Sequence, residues 1–247
     1  MNDFINQLDT WFTVFMVYSF AGWVFEELVG YVLNHKFSNR GFLIGPICPI
    51  YGFGALLITF ALGDAQNIIA IFCVSMVGSV LLEYFTSYLM EKLFHARWWD
   101  YRDNAFNLNG RICLSAALMF GLLGVVIVRI TNPALLEFLG SMTPELRAAI
   151  SLILLGILVG DAITSLWMVI GFRVTVGTVA GDATEEISAR VREIMMQKGR
   201  LNRRLVKAFP SAEAKPQAAK PKTKRTRKAK RATKSSDHST PLAKSSK

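Results

Sequence analysis

The chain has 247 residues, of which 52% are apolar, and its mean hydropathy is positive. A water-soluble domain of this length has no use for so much apolar side chain, whereas a protein dissolved in a bilayer does. The net charge of +10 describes only one end of the chain: residues 1–181 carry 9 Lys/Arg against 12 Asp/Glu, and residues 182–247 carry 19 against 6. Cys48, Cys73 and Cys113 lie in or beside apolar runs without metal-ligand spacing, so neither a disulfide framework nor a metal site is expected, and no cofactor.

Met1 to Asp9 holds no Lys or Arg, so it does not read as a signal peptide, and the first apolar run is expected to stay in the mature protein. About 20 apolar residues are needed for a helix to cross the hydrocarbon core. Five runs predict spans over 11–33, 46–62, 67–93, 112–130 and 147–176, an all-α polytopic bundle within a transmembrane domain of residues 1–181. The second is short and opens on Gly45-Pro46-Ile47-Cys48-Pro49, followed by Gly52 and Gly54. Pro46, Pro49 and Gly52 predict a broken or re-entrant helix, a gate-like element tolerated at membrane depth only when buried in protein or lining a wet cavity.

Basic residues cluster in the first loop (Lys36, Arg40), the third (Lys92, Arg97, Arg102, Arg111) and the tail. With five spans these fall on one side, which predicts a cytoplasmic C-terminus and an N-terminus outside. Over 182–209, Ile187, Val191, Ile194, Leu201 and Leu205 recur at helical spacing and predict an amphipathic helix, lying on the membrane surface or pairing with a partner helix. Residues 210–247 are rich in Lys, Ala, Ser, Thr and Pro and predict a disordered polybasic tail. Lys220 to Lys234 is dense in Lys and Arg without an acid, suited to anionic lipid; sequence-specific nucleic-acid binding is not expected.

Ionisable groups inside spans are costly and mark function by default. Glu26, Glu83 and Asp161 fall at similar depth on three spans and predict one shared polar cavity, with Glu91 and Arg111 as further members of a substrate or ion pathway. Ser79, Glu83, Ser87 and Glu91 step by four and share a helical stripe, as do Ser19, Gly22, Trp23 and Glu26. Arg111 is the expected partner of Glu83 or Glu91. The competing structural reading is that these charges pair and fix helix register. Gly156, Gly160 and Thr164 form a small-residue row suited to close helix contact, including a homo-oligomer. In the third loop, Trp98, Trp99 and Tyr101 suit the headgroup level, beside Asp100 and Asn109. No nucleophile–base arrangement appears, so an enzyme is not expected.

Gly22-Trp23-Val24-Phe25-Glu26, the run from Asn39 to Gly54, Glu83-Tyr84 through Phe94, Trp98-Trp99-Asp100-Tyr101 and Phe106 to Arg111 together resemble the bacterial "Putative ABC-transporter type IV" (CmpB-like) membrane family over roughly residues 10–175. The resemblance implies a permease-like subunit of the bacterial cytoplasmic membrane. The chain has no G-x-x-x-x-G-K-[ST] phosphate loop and no EAA-type loop, so a transporter of this kind would need a separate ATPase subunit, docking on the third loop. The alternative function is a non-transporting scaffold or regulator that recruits cytoplasmic partners through the 95–111 loop and the basic tail.

Overall fold

The structure is a computed structural model that describes residues 2–35, 39, 42–94, 96–178, 184–197, 199–208 and 213–214. Helix α1 runs Asn2–Asn34, α2 Pro49–Leu62, α3 Ile68–Phe94, α4 Leu114–Val126, α5 Asn132–Gly140, α6 Pro144–Thr178, α7 Thr184–Gln197 and α8 Arg200–Ala208. A π-helical turn, Ile127–Thr131, joins α4 to α5. Among the described residues, four helical stretches are long and apolar enough to cross a membrane: Phe4–Val32, Ile68–Phe94, Leu114–Gly140 and Pro144–Gly171. Ile69, Leu81, Phe85, Leu152 and Trp167 stand on their outer faces, at least 61% exposed. Large apolar side chains in that density have no place in water and suit lipid.

The second apolar element differs from its prediction. Residues 49–62 form one unbroken helix of 14 residues, because Pro49 sits at its first turn, where no N–H is needed, and Pro46 lies before it. At 1.5 Å per residue α2 is about 21 Å long, short of the roughly 30 Å core. The connection before it makes up the difference. Cys48 N–H donates to Ser19 O at 2.9 Å, at the middle of α1, and Gly45 N–H reaches Asp161, at the middle of α6. The first loop therefore reaches the middle of α1 and α6, and α2 starts from there. Leu43 and Ile47 are buried on the way, packed between Phe15 and Met16 of α1 and Leu154 and Leu158 of α6.

The fourth predicted span ends too early and the fifth starts too late. The predicted end at Ile130 is overrun: the long helix continues through Pro133 to Gly140. Proline removes one backbone donor and crowds the carbonyl four residues back, and the π-helical turn just before it widens the helix to accommodate this. Tyr18 Oη and Thr131 Oγ1, 2.8 Å apart, tie that turn to α1. The expected loop over 131–146 shrinks to residues 141–143, and Pro144 opens α6 with Thr143 Oγ1 accepting Leu146 N–H at 3.3 Å. Asn67 caps α3 in the same manner, accepting from Ile69 and Ala70.

Two apolar clusters mark the ends of the bundle. At one, Val14, Tyr18, Ala55 and Leu139 pack with Trp11, Leu135 and Met142. At the other, Trp98, Met168, Val169, Val191, Met195 and Leu205 gather with Phe42 and Phe94. The first loop, the third loop and α7–α8 thus share one end. The single amphipathic helix predicted for 182–209 is two helices, separated at Gly199, whose φ of 125° suits glycine alone. Val191, Met195 and Leu205 are buried against the chain's own third loop and α6, while Leu201 stays 50% exposed. The all-α expectation is amended by a two-residue antiparallel ladder: β1, Ala96–Arg97, pairs with β2, Glu213–Ala214. That places Glu213 and Ala214 in ordered backbone; the rest of the predicted tail from Pro210 lies outside the described residues, as does the second unit of the chain, 217–247.

Candidate functional site

A cavity of about 470 Å³ lies between α2, α3 and α4 and extends under the third loop. From α3 it takes Ser79, Leu82, Glu83, Thr86 and Met90, positions 3, 4, 7 and 11 after the first and so one helical face. Pro49 to Ile58 of α2 and Phe120 to Ile127 at the end of α4 supply mostly apolar walls. Glu26 enters from α1, Trp98 to Tyr101 from the third loop and Ala208 from α8.

Two carboxyl–phenol pairs stand in this cleft. Tyr51 Oη donates to Glu26 Oε1 at 2.6 Å. Tyr101 sits against Glu83, and burial raises its pKa above the ordinary phenol value, with the Glu83 and Glu26 charges pushing it further. Both carboxylates therefore lie within electrostatic reach of one hydroxyl. Glu83 is 7% exposed, and its Oε2 is buried with no hydrogen-bond partner among the described residues.

The other predicted pathway residues are placed elsewhere. Asp161 does not line the cleft. Its Oδ1 accepts Ile44 N–H at 2.8 Å and its Oδ2 accepts Gly45 N–H at 2.7 Å, while Ser165 Oγ lies 3.1 Å from Oδ1. It is the clasp that holds the first loop against the middle of α6. Glu91 pairs with Arg111 at 2.8 Å, which settles the partner of Arg111, and with Arg97 at 3.5 Å. Arg111 also donates to Ser87 Oγ at 3.1 Å and lies over the rings of Tyr84 and Tyr88. This cluster is an ion pair at the loop end of α3, with side chains 9% and 13% exposed. Removing one partner strands a nearly buried charge. The Glu91→Gln/Arg111→Gln double variant is therefore expected to cost less than the sum of the singles, with a coupling of about 1–3 kcal/mol in thermal or denaturant unfolding. Additive losses would show that the two do not act as a pair.

The first loop is held from several sides. Trp23 Nε1 donates to Asn39 Oδ1 at 2.8 Å, and Asn39 Nδ2 donates to Ile44 O. Arg204 of α8 donates to Leu43 O and to Asn39 O. Burial pushes the Arg204 pKa down, while the Asp161 and Glu27 charges nearby push it up. Pro46 is an exposed loop residue, and Gly52 of α2 lies so close to Ser19 and Phe15 of α1 that a Cβ there would overlap both. Arg40 lies outside the described residues.

The third loop does not spread its aromatics at a headgroup level. Trp98 is 3% exposed, Trp99 donates to Arg111 O at 3.1 Å, and Tyr101 turns into the cleft. Asp100 caps its own loop through Arg102 N–H at 3.0 Å and pairs with Arg102 and Arg97. Burial alone would raise its pKa, but those bonds and charges outweigh it and hold the carboxyl below the usual range. Asn109, at φ 55°, donates to Tyr84 Oη at 3.0 Å. The Gly156–Gly160 row on α6 meets no neighbouring atoms.

A family model described as "Putative ABC-transporter type IV" matches residues 13–166. The chain belongs to this family. No curated protein and no solved structure matches it. The stretch shared with the type IV family model holds the cleft, the Asp161 clasp and the Glu91–Arg111 pair, and ends inside α6. Helices α7 and α8, with Ala208 in the cleft wall and Arg204 on the first loop, lie beyond it. The functional residues that sequence reasoning missed are Tyr51, Ser165 and Arg204. Nothing in the spacing pointed to Tyr51, whose ring packs on Gly22 of α1.

Proposed function

We propose that this member of the type IV family is the membrane-embedded subunit of a transporter, with Glu26 and Glu83 as its polar intramembrane site and a separate ATPase subunit as its engine. The observation that carries the reading is that carboxylates from α1 and α3 face one cleft inside a bundle whose outer faces suit lipid. Such groups are costly in a membrane and are usually kept for a pathway. The loop-bearing end carries Lys92, Arg97, Arg102 and Arg111, and the sequence of the first loop adds Lys36 and Arg40, which supports placing that end in the cytoplasm, with the N-terminus outside, of a bacterial cell membrane. An ATPase would dock there. Phe106, 84% exposed at φ 52°, and Leu108, 54% exposed, form an apolar tip on the third loop that suits such contact.

The same tip also favours the second reading, a non-transporting scaffold that recruits partners through the 95–111 loop and basic tail. Glu83→Gln separates the two. In cells expressing wild-type and variant protein at equal membrane levels, uptake or efflux across a broad solute panel is expected to fall at least tenfold for the transported solute. A panel in which no solute distinguishes wild type, variant and empty cells would sink the transporter and leave the scaffold.

A further inference from the structure

The cleft has a polar middle, an apolar end away from the third loop, and Asp100 beside Trp98 and Trp99 at the loop end. Ser79 to Met90 spans 11 residues of α3, about 16 Å at 1.5 Å per residue, so the cleft is long as well as narrow. Away from the loop it is walled by Ala55, Ile58, Leu123 and Ile127. Its middle carries Glu26, Glu83 and the phenols of Tyr51 and Tyr101. Among the described residues, no Lys, Arg or His lines it. The unpartnered, buried Glu83 Oε2 asks for a donor or a positive charge, which nothing on the described part of the chain supplies.

We propose that this cleft binds an amphiphilic organic cation, its ammonium beside Glu26 and Glu83 and its apolar body along Ile58, Leu123 and Ile127. The inference deepens the transporter reading and rests on it only for the statement that the ligand is carried. Three competing ligands fit less well. An inorganic cation needs a cage of oxygens, and no group of three or more His, Cys, Asp or Glu side chains among the described residues forms one. An anion meets the carboxylates of Glu26 and Glu83 and, at the loop end, Asp100. A zwitterionic phospholipid would bring its phosphate into a site without a basic residue. An ammonium instead gains from the carboxylates and from the ring faces of Tyr51, Tyr101 and Phe120, which attract cations. The cavity volume is in the range of sites that bury a ligand of this size.

The test uses the full-length protein in nanodiscs and radiolabelled dodecyltrimethylammonium, with empty nanodiscs as the partition control. Saturable binding is expected, weakened at least tenfold by Glu83→Gln and by Glu26→Gln, and weakened likewise by Leu123→Trp, which fills the apolar end. The same chain with a neutral tert-butyl head is expected not to compete, and dodecylphosphocholine to compete poorly. Equal competition by the neutral analogue, or Glu83→Gln binding like wild type, overturns the proposal. So does equal competition by dodecylphosphocholine, which would point to a lipid headgroup. Should Glu83→Gln not purify as a monodisperse protein, Glu26→Gln and Leu123→Trp decide the matter by the same criteria. Cation binding in a protein that transports nothing would leave this inference standing and remove the transporter. Glu83-dependent transport of a neutral or anionic solute, without cation binding, would do the reverse.

Discussion

Asp161→Ala is expected to lower the thermal midpoint of the detergent-purified protein by roughly 5–10 °C, from a loss of about 3 kcal/mol. The carboxylate accepts two backbone N–H groups, those of Ile44 and Gly45, where the first loop lies against the middle of α6. Alanine removes both acceptors at once. Ile44 N–H retains Ser165 Oγ at 3.0 Å, but Gly45 N–H has no such reserve. A backbone donor stranded at membrane depth finds no water, so the loop must shift or pull solvent in. Gly45 packs so near the Asp161 carboxylate, 2.7 Å from Oδ2 to the position of a Cβ, that the two chains are already at closest approach. Asp161→Asn keeps one acceptor oxygen and is expected to lose about half as much, while Ser165→Ala loses less than either. An Asp161→Ala protein that melts like wild type, followed by intrinsic tryptophan fluorescence, would show that the loop is held by its other ties to Trp23 and Arg204.

That role for Asp161 was not legible in the sequence, and the reason is physical. Hydropathy and spacing report depth and face, and Asp161 has the depth of a pathway residue. What it faces depends on a loop whose descent is set by tertiary contacts. The length of α2 was legible, since 14 apolar residues are too few to cross the core alone. That the preceding chain supplies the missing depth was only half visible, in the cluster of Pro46, Pro49 and Gly52, and the break expected inside the helix lies before it. The stripe Ser79–Glu83–Ser87–Glu91 was legible because a helix repeats faithfully. It faces inward along its length, with Glu83 in the cleft and Glu91 on Arg111. The continuation of the fourth helix past Ile130 was not legible, because hydropathy does not show that a membrane helix packed on its neighbours can carry a proline such as Pro133 next to a π-helical turn. The amphipathic pattern of 182–209 was seen, but a pattern cannot name its occupant, and the buried face is taken by Trp98, Met168 and Val169 of the same chain. Ala208 is part of the cleft wall, and Arg204 helps hold the loop from which α2 starts.

Gly22→Val should be as damaging as the loss of Asp161, and more damaging to the cleft. A Cβ at Gly22 would overlap the Cβ and Cγ of Tyr51, the stiff base of that ring and not its free end. Overpacking of this kind costs about 1–3 kcal/mol. Here the displaced ring also carries the 2.6 Å hydrogen bond to Glu26, and losing a bond to a carboxylate adds about 1.5–3 kcal/mol. The combined loss is expected at about 3 kcal/mol or more, read as a lower thermal midpoint, whereas Tyr51→Phe alone keeps the packing and loses only the hydrogen bond. The decisive comparison is Gly22→Val in a Tyr51→Ala background. With the ring removed, the valine has room, so its cost should drop by well over 1 kcal/mol, the non-additivity expected of residues in contact. An unchanged cost in that background would mean that Gly22 is needed for α1 itself and not for the seat of Tyr51. The seat matters because it fixes which way Glu26 points: with Tyr51 in place the half-buried α1 carboxylate is turned into the same cleft as Glu83, and without it that carboxylate loses its phenol donor.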